Sequence, residues 1–156
     1  MTTTTTEPER AAASHRVVVG IDGSHASDRA LEWAAAEAAR SGAVLEGHAS
    51  YGSGYVFISS KEVHMALKKV VDQAAAHVAD VAPGVTFTGV THEGPAAKDL
   101  IDASKGADLL VVGSRGLGGF SGLLLGSVSQ QCALHAHCPI VIVRPPELRE
   151  LAKDRP

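Results

Sequence analysis

Between residues 113 and 129 the chain reads Gly113-Ser114-Arg115-Gly116, then Leu117-Gly118-Gly119-Phe120-Ser121-Gly122-Leu123-Leu124-Leu125, then Gly126-Ser127-Val128-Ser129. Six glycines fall within fourteen residues. An apolar run ends just before them, and a helical stretch opens at Ser127. A glycine-rich connection between a strand and a helix start suits the binding of an anion. Glycines let backbone N–H groups turn toward a ligand, and no Cβ blocks its approach. The first helical turn adds unpaired N–H donors and a partial positive charge. Together these can hold a phosphate chain without a lysine. The plain alternative is a surface connection with no ligand.

Familiar phosphate motifs are absent. No Gly-Lys pair occurs, so there is no Walker A loop. Gly116 and Gly118 begin a G-x-G, but position 121 is serine where the dinucleotide fingerprint needs glycine. Gly119-Phe120-Ser121-Gly122 is not a nucleophile elbow either, since residue 123 is leucine. The pattern that fits is G-x2-G-x9-G-[S/T], on Gly113, Gly116, Gly126 and Ser127.

Other residues have side chains that could do chemistry. Asp22 follows an apolar run and precedes Gly23-Ser24, so it is either a ligand contact or a helix-capping turn residue. Strand ends of open α/β sheets are where ligands bind, which favours the ligand role. Cys132, His135, His137 and Cys138 are close in sequence but lack a standard structural zinc spacing. A packed cysteine and a helix-terminal histidine explain them more simply. The other histidines are scattered and form no catalytic set, although His48 is a candidate ligand contact. Arg115 is either a phosphate partner or a solvated side chain.

Five short apolar runs must position these residues: Arg16–Ile21, Val44–Ala49, Val85–Thr91, Leu109–Val112 and Ile140–Val143. Runs such as VVVGI, LLVV and IVIV have almost no polar alternation, as in parallel strands buried on both faces. Val85–Val90 alternates, which predicts an edge strand with one wet face. Helices are expected between the runs. The first is capped by Ser24 and closed by Ser41-Gly42. The second carries Val63, Leu67, Val70, Ala74, Val78 and Val81 and stops at Pro83-Gly84. The third begins at Gly94-Pro95 with proline at the first helical position and ends at Gly106. The fourth runs from about Ser127 to Ala136. Strand–helix alternation predicts a parallel α/β sandwich with right-handed crossovers. Residues 1–14 and 146–156 read as polar or proline-broken tails around one domain at 15–145.

Composition narrows the function further. The 156 residues carry a net charge of −3 and 4% aromatics. Neither a nucleic-acid surface nor a base-stacking platform is expected. No apolar stretch approaches the roughly 18 residues of a membrane span. Two cysteines make no disulfide framework, and MTTTTTEPER is no secretory signal. The expected compartment is the cytoplasm.

The glycine pattern, taken with Val19-Gly20-Ile21-Asp22-Gly23-Ser24, Gly94-Pro95-Ala96 and His137-Cys138-Pro139-Ile140-Val141-Ile142-Val143, resembles the ATP-binding branch of the universal stress protein family. The resemblance covers residues 15–144. It implies a Rossmann-like open parallel five-stranded sheet of order 3-2-1-4-5, with helices on both faces. It implies that Gly113, Gly116, Gly126 and Ser127 contact ribose and phosphates. Asp22 would lie near the nucleotide or its metal, with Gly20 and Ile21 on the same wall. The backbone at Ala49 would meet the adenine edge, and Ser114, Arg115, Val128 and Ser129 would add neighbouring contacts. The ligand implied is ATP, with Mg²⁺ held mainly through the phosphates. A homodimer through Ile140–Val143 is also implied, and an uncovered apolar edge independently invites pairing. Ser50–Ser60 is a shorter connection than many relatives carry beside the nucleotide.

From Gly113 to Gln131 there is no Asp, Glu or Lys. Rapid phosphoryl transfer needs a positioned metal and a group that orients the nucleophile. The expected function is therefore an ATP-binding stress-response regulator with slow or no hydrolysis. The alternatives are a weak ATPase or phosphotransferase built on Asp22 and the serines, or a nucleotide-free interaction protein of the same fold.

Overall fold

Five apolar runs become five parallel strands, and four helices connect them. In chain order these are β1 (Arg16–Gly20), α1 (His25–Ser41), β2 (Val44–Tyr51), α2 (Ser60–Val81), β3 (Phe87–Glu93), α3 (Ala96–Ala103), β4 (Leu109–Gly113), α4 (Ser127–His135) and β5 (Ile140–Val143). The computed structural model describes residues 15–51, 59–116 and 125–145. The two expected tails, positions 52–58 after β2, and positions 117–124 of the glycine-rich connection lie outside the described residues.

The sheet order is β3-β2-β1-β4-β5 and every pairing is parallel. The fold is thus the open, Rossmann-like α/β sheet that the sequence predicts. Alternation along each central strand fills two cores. Val17, Val19, Leu45 and Val111 pack with Leu31, Ala34 and Ala35 of α1 and with Leu67, Ala74 and Val78 of α2. Val18, Leu110 and Val112 face the other way, against Leu100 of α3 and Cys132 of α4. Residues 17–19 and 110–112 are all buried, which explains their unbroken apolar runs. β3 is the edge strand that its alternation predicts, and its side chains are exposed or half-buried.

Local chemistry sets the helix limits. Ser24 caps α1 by accepting from the Ser27 N–H, and Gly42 closes it with φ +70°, a left-handed conformation that favours glycine. Ser59 and Glu62 form a reciprocal capping box on α2. Some boundaries shift from expectation. β2 and β3 extend to Tyr51 and Glu93, because the two strands stay paired that far. β3 starts at Phe87, since the Val85 N–H turns back to the Ala82 carbonyl. Pro95 stands one place earlier than expected, as the N-cap of α3.

Candidate functional site

β1 and β4 are adjacent central strands, and the connections that leave their carboxyl ends diverge to opposite faces of the sheet. One leads into α1 and the other into α4. Such a switch point leaves a crevice beyond the strand ends. Here the crevice is a cleft of about 430 Å³. Gly20, Ile21 and Asp22 line it from the end of β1. Gly113, Arg115 and Gly116 line it from the end of β4, and Gly126, Ser127, Val128 and Ser129 from the start of α4. Ten of the twelve residues predicted to hold the ligand therefore converge on one cleft.

The remaining two sit differently. Ser114 is fully buried and is not part of the cleft lining. Its carbonyl accepts from the Gly126 N–H at 2.6 Å and from the Ser129 hydroxyl at 3.0 Å, so it ties the two ends of the glycine-rich connection together. Its own Oγ has no hydrogen-bond partner among the described residues. Ala49 is buried in the core beneath α1 and α2 and contributes no side chain to the cleft.

Two of the glycines stand in close quarters. A Cβ on Gly113 would lie 3.0 Å from the Ala26 carbonyl oxygen, at the first turn of α1. A Cβ on Gly116 would lie 2.9 Å from Asp22 Oδ2. The connection from β4 thus runs closely past both the helix start and the carboxylate. Asp22 is held for this contact, since its Oδ1 accepts from the Ser24 N–H at 2.9 Å and its N–H donates to Ser27 Oγ at 3.1 Å. One Asp22 oxygen forms the turn into α1, as the capping reading expects, and the other lies toward Gly116 of the glycine-rich segment.

The start of α4 differs chemically from those of α1 and α2. Its N-cap is Gly126, which supplies no side-chain acceptor. The N–H groups of the first helical turn have no intrahelical partners, and they gather at the positive end of the helix dipole. The Ser129 hydroxyl is committed to the carbonyls of Ser114 and Gly126. Gly126, Ser127, Val128 and Ser129 of this turn line the cleft, and a helix start brings unpaired N–H donors with it.

The cleft continues toward β2 and α3, where His48, Ser50, Ala96 and Leu100 line it. Here lies a polar cluster that spacing did not reveal. His48 Nδ1 is 3.1 Å from Asp99 Oδ2, and His48 Nε2 is 3.3 Å from Glu46 Oε2. Ser50 Oγ donates to the same Asp99 oxygen at 2.7 Å, and Arg16 Nη1 donates to Glu46 Oε2 at 2.7 Å. Carboxylates only accept, so a ring between two of them must donate from both nitrogens, as the imidazolium does. Burial opposes that charge on His48, but the bonds to Asp99 and Glu46 outweigh burial and raise its pKa above the ordinary histidine value. Burial likewise opposes charge on Asp99, and the bonds from His48 and Ser50 outweigh it, so its pKa is lowered. The available signal was the period of two on β2: Glu46, His48 and Ser50 share one face of a strand whose other face is apolar.

The cysteines do not form a metal centre with their neighbours. Among the described residues no group of three or more His, Cys, Asp or Glu side chains could hold a metal ion. Cys132 lies in the core beneath α3 and α4, and burial pushes its thiol up to about 11.

Comparison with known proteins bears on this cleft. The model of the universal stress protein family matches residues 13–144. A curated universal stress protein of Mycobacterium tuberculosis is 33% identical over 132 residues, covering 82% of this chain and 44% of its own length. A universal stress protein of Mycolicibacterium smegmatis is 32% identical over 145 residues, covering 86% of this chain and 49% of its own length. The chain therefore spans about half the length of these curated relatives. Among solved structures, a universal stress protein in complex with cAMP is 29% identical with a TM-score of 0.68, covering 85% of this chain and 98% of that one.

Proposed function

Because this chain belongs to the universal stress protein family, we propose that its cleft binds an adenine nucleotide and that the protein serves as a nucleotide-responsive regulator. The observation that carries this reading is the meeting of three backbone segments around one cleft: the end of β1, the end of β4, and the uncapped first turn of α4. A nucleotide fits these parts in an ordered way. Its phosphates are negative and take N–H donors, so they belong at Gly126–Ser129, beside Gly113 and Gly116. Arg115, also in the lining, supplies a cationic side chain. The cAMP complex of a related protein supports a ligand with an adenine base and phosphate.

ATP with Mg²⁺ is the form we propose. Asp22 is the carboxylate in the described lining, and among the described residues no cluster of protein ligands stands ready for a metal. Mg²⁺ commonly binds through one or two carboxylates together with phosphates and waters. Asp22 fits that pattern, with the phosphates supplying most of the coordination. The same scarcity argues for holding the nucleotide over turning it over. The charged side chains of the described lining are Asp22, His48 and Arg115, and His48 is already committed to two carboxylates. Apart from Asp22, which this reading gives to the metal, the described lining holds no carboxylate to act as a general base beside the phosphate end. We also propose that the protein acts in the cytoplasm, and that two copies pair through the free edge of β5, where Ile140–Val143 are each half-buried in the single chain.

Thermal unfolding in the presence of AMP, ADP, ATP or cAMP, each with and without Mg²⁺, tests the reading. A ligand that binds the native state raises the melting temperature in proportion to the logarithm of its excess over Kd. ATP with Mg²⁺ is expected to give the largest rise. No rise with any of the four would refute nucleotide binding.

A further inference from the structure

The β2 and α3 end of the cleft has a polar surface of unusual one-sidedness. Ser50 and His48 are the polar side chains that line it. Asp99 is kept ionised by His48 and Ser50, so it can only accept. The Ser50 hydroxyl, 2.7 Å from Asp99 Oδ2, must therefore spend its single proton on Asp99. What remains on Ser50 is lone pairs. His48 has no donor left either, since both its ring nitrogens face carboxylates. This end of the cleft can accept a hydrogen bond from a ligand through Ser50, and its lining side chains offer no donor in return.

The same end is unsuited to phosphate. Asp99 brings a negative charge, and the glycine-rich segments and the start of α4 lie toward β4. β2 and β4 flank β1 on either side, so their ends stand about 10 Å apart at ordinary strand spacing. With the phosphates at α4, the uncharged base falls at Ser50. We propose that Ser50, fixed by Asp99 and by the doubly bonded His48 behind it, selects the nucleobase by its exocyclic group: an amine, which donates, is accepted, and a carbonyl oxygen, which only accepts, is rejected. The inference rests on the nucleotide reading above and adds to it the residue that chooses among bases. Ser50 is the specificity-determining contact, and Asp99 and His48 are positioning residues.

AMP and IMP make the decisive pair, because the amine of one is a carbonyl in the other and the sugar and phosphate are the same. Calorimetric titration of the full chain with each gives a ratio of affinities. The wild-type protein is expected to prefer AMP by about tenfold or more, the consequence of facing a buried acceptor with a second acceptor. In Ser50→Ala the ratio should collapse to within about twofold, mainly through weaker AMP binding. Asp99→Ala should reach a smaller ratio by the opposite route. With its acceptor gone, the serine proton is free to turn toward the cleft, and IMP binding improves. Melting curves confirm that both variants are folded, and the two routes cannot be confused with general loss of the site. An unchanged ratio in Ser50→Ala, or a wild-type protein that binds AMP and IMP equally, overturns this inference while leaving nucleotide binding intact. A wild-type protein that binds neither overturns the nucleotide reading itself, and this inference with it.

Discussion

Substituting Gly126 separates binding from folding more cleanly than substituting the other glycines of the motif. Gly126 has φ −73° and ψ 168°, a conformation open to any residue. Among the described residues, a Cβ built there meets nothing closer than Arg115 Cα and the Ser114 carbonyl oxygen, both at 3.5 Å, an ordinary contact distance. Alanine is a poorer N-cap than glycine by up to about 1 kcal/mol, but it also restricts the unfolded chain by about 0.4–1 kcal/mol. The two effects oppose each other, so Gly126→Ala should shift the melting temperature by no more than about 4 °C. Binding is another matter. The added methyl stands where phosphate oxygens must approach the first-turn amides. Loss of one charge-assisted hydrogen bond, at about 1.5–3 kcal/mol, weakens affinity roughly 10- to 150-fold. Gly113→Ala makes the instructive contrast. Its methyl presses on the Ala26 backbone at 3.0 Å, which cannot swing aside as a side chain would. Overpacking of this kind costs about 1–3 kcal/mol of stability and confounds any change in binding. Calorimetric titration with ATP and Mg²⁺, paired with melting curves, reads both quantities. Affinity of Gly126→Ala within twofold of wild type would refute the idea that the start of α4 grips the phosphates.

Two further predictions follow from side chains at the rim and the edge. His48 is faced by Asp99 from α3 and by Glu46 from its own strand, with Arg16 of β1 on Glu46 and His92 of β3 acting on Asp99. Because the folded pKa of His48 is raised, its contribution to stability is full below the unfolded value of about 6.5 and is lost as pH rises through the folded value. The Asp99 contribution has the opposite sense: it is present above about 3.9 and lost as pH falls through the lowered folded value. Melting temperature should therefore decline above pH 6.5, and His48→Gln should flatten that decline; an equal slope in the variant would remove His48 from the account. For assembly, sedimentation velocity is expected to give twice the 16.1 kDa chain mass, and a single-chain mass at micromolar concentration would argue against pairing through β5.

Much of this architecture was legible because its signals are local. The buried runs 17–19 and 110–112 could only be strands with two covered faces, and Ser24, Gly42 and Gly126 mark helix ends by chemistry that acts over three or four residues. The β4 and α4 side of the cleft was legible for the same reason, since it is backbone arranged by glycine. The β2 and α3 side was not. His48 and Asp99 are 51 positions apart, and only the parallel crossover through β3 brings α3 beside β2. No spacing rule reports such a meeting. Ser114 shows what local pattern does not report: the backbone turns after Gly113 and buries its side chain, while its carbonyl anchors the start of α4.

The Arg16 side chain has a consequence for how far the chain can be trimmed. Besides Glu46, its guanidinium reaches the carbonyls of Ala103 and Lys105, and its own amide donates to Asp108 Oδ2. One residue at the mouth of the first strand thus fastens the second strand, the end of the third helix and the entry to the fourth strand. A proteolytic cut just after position 16 would remove far more than a frayed terminus. It would unlatch three neighbours at once, at the end of the sheet farthest from the cleft, and would strip Glu46 of the cation that steadies it beneath His48.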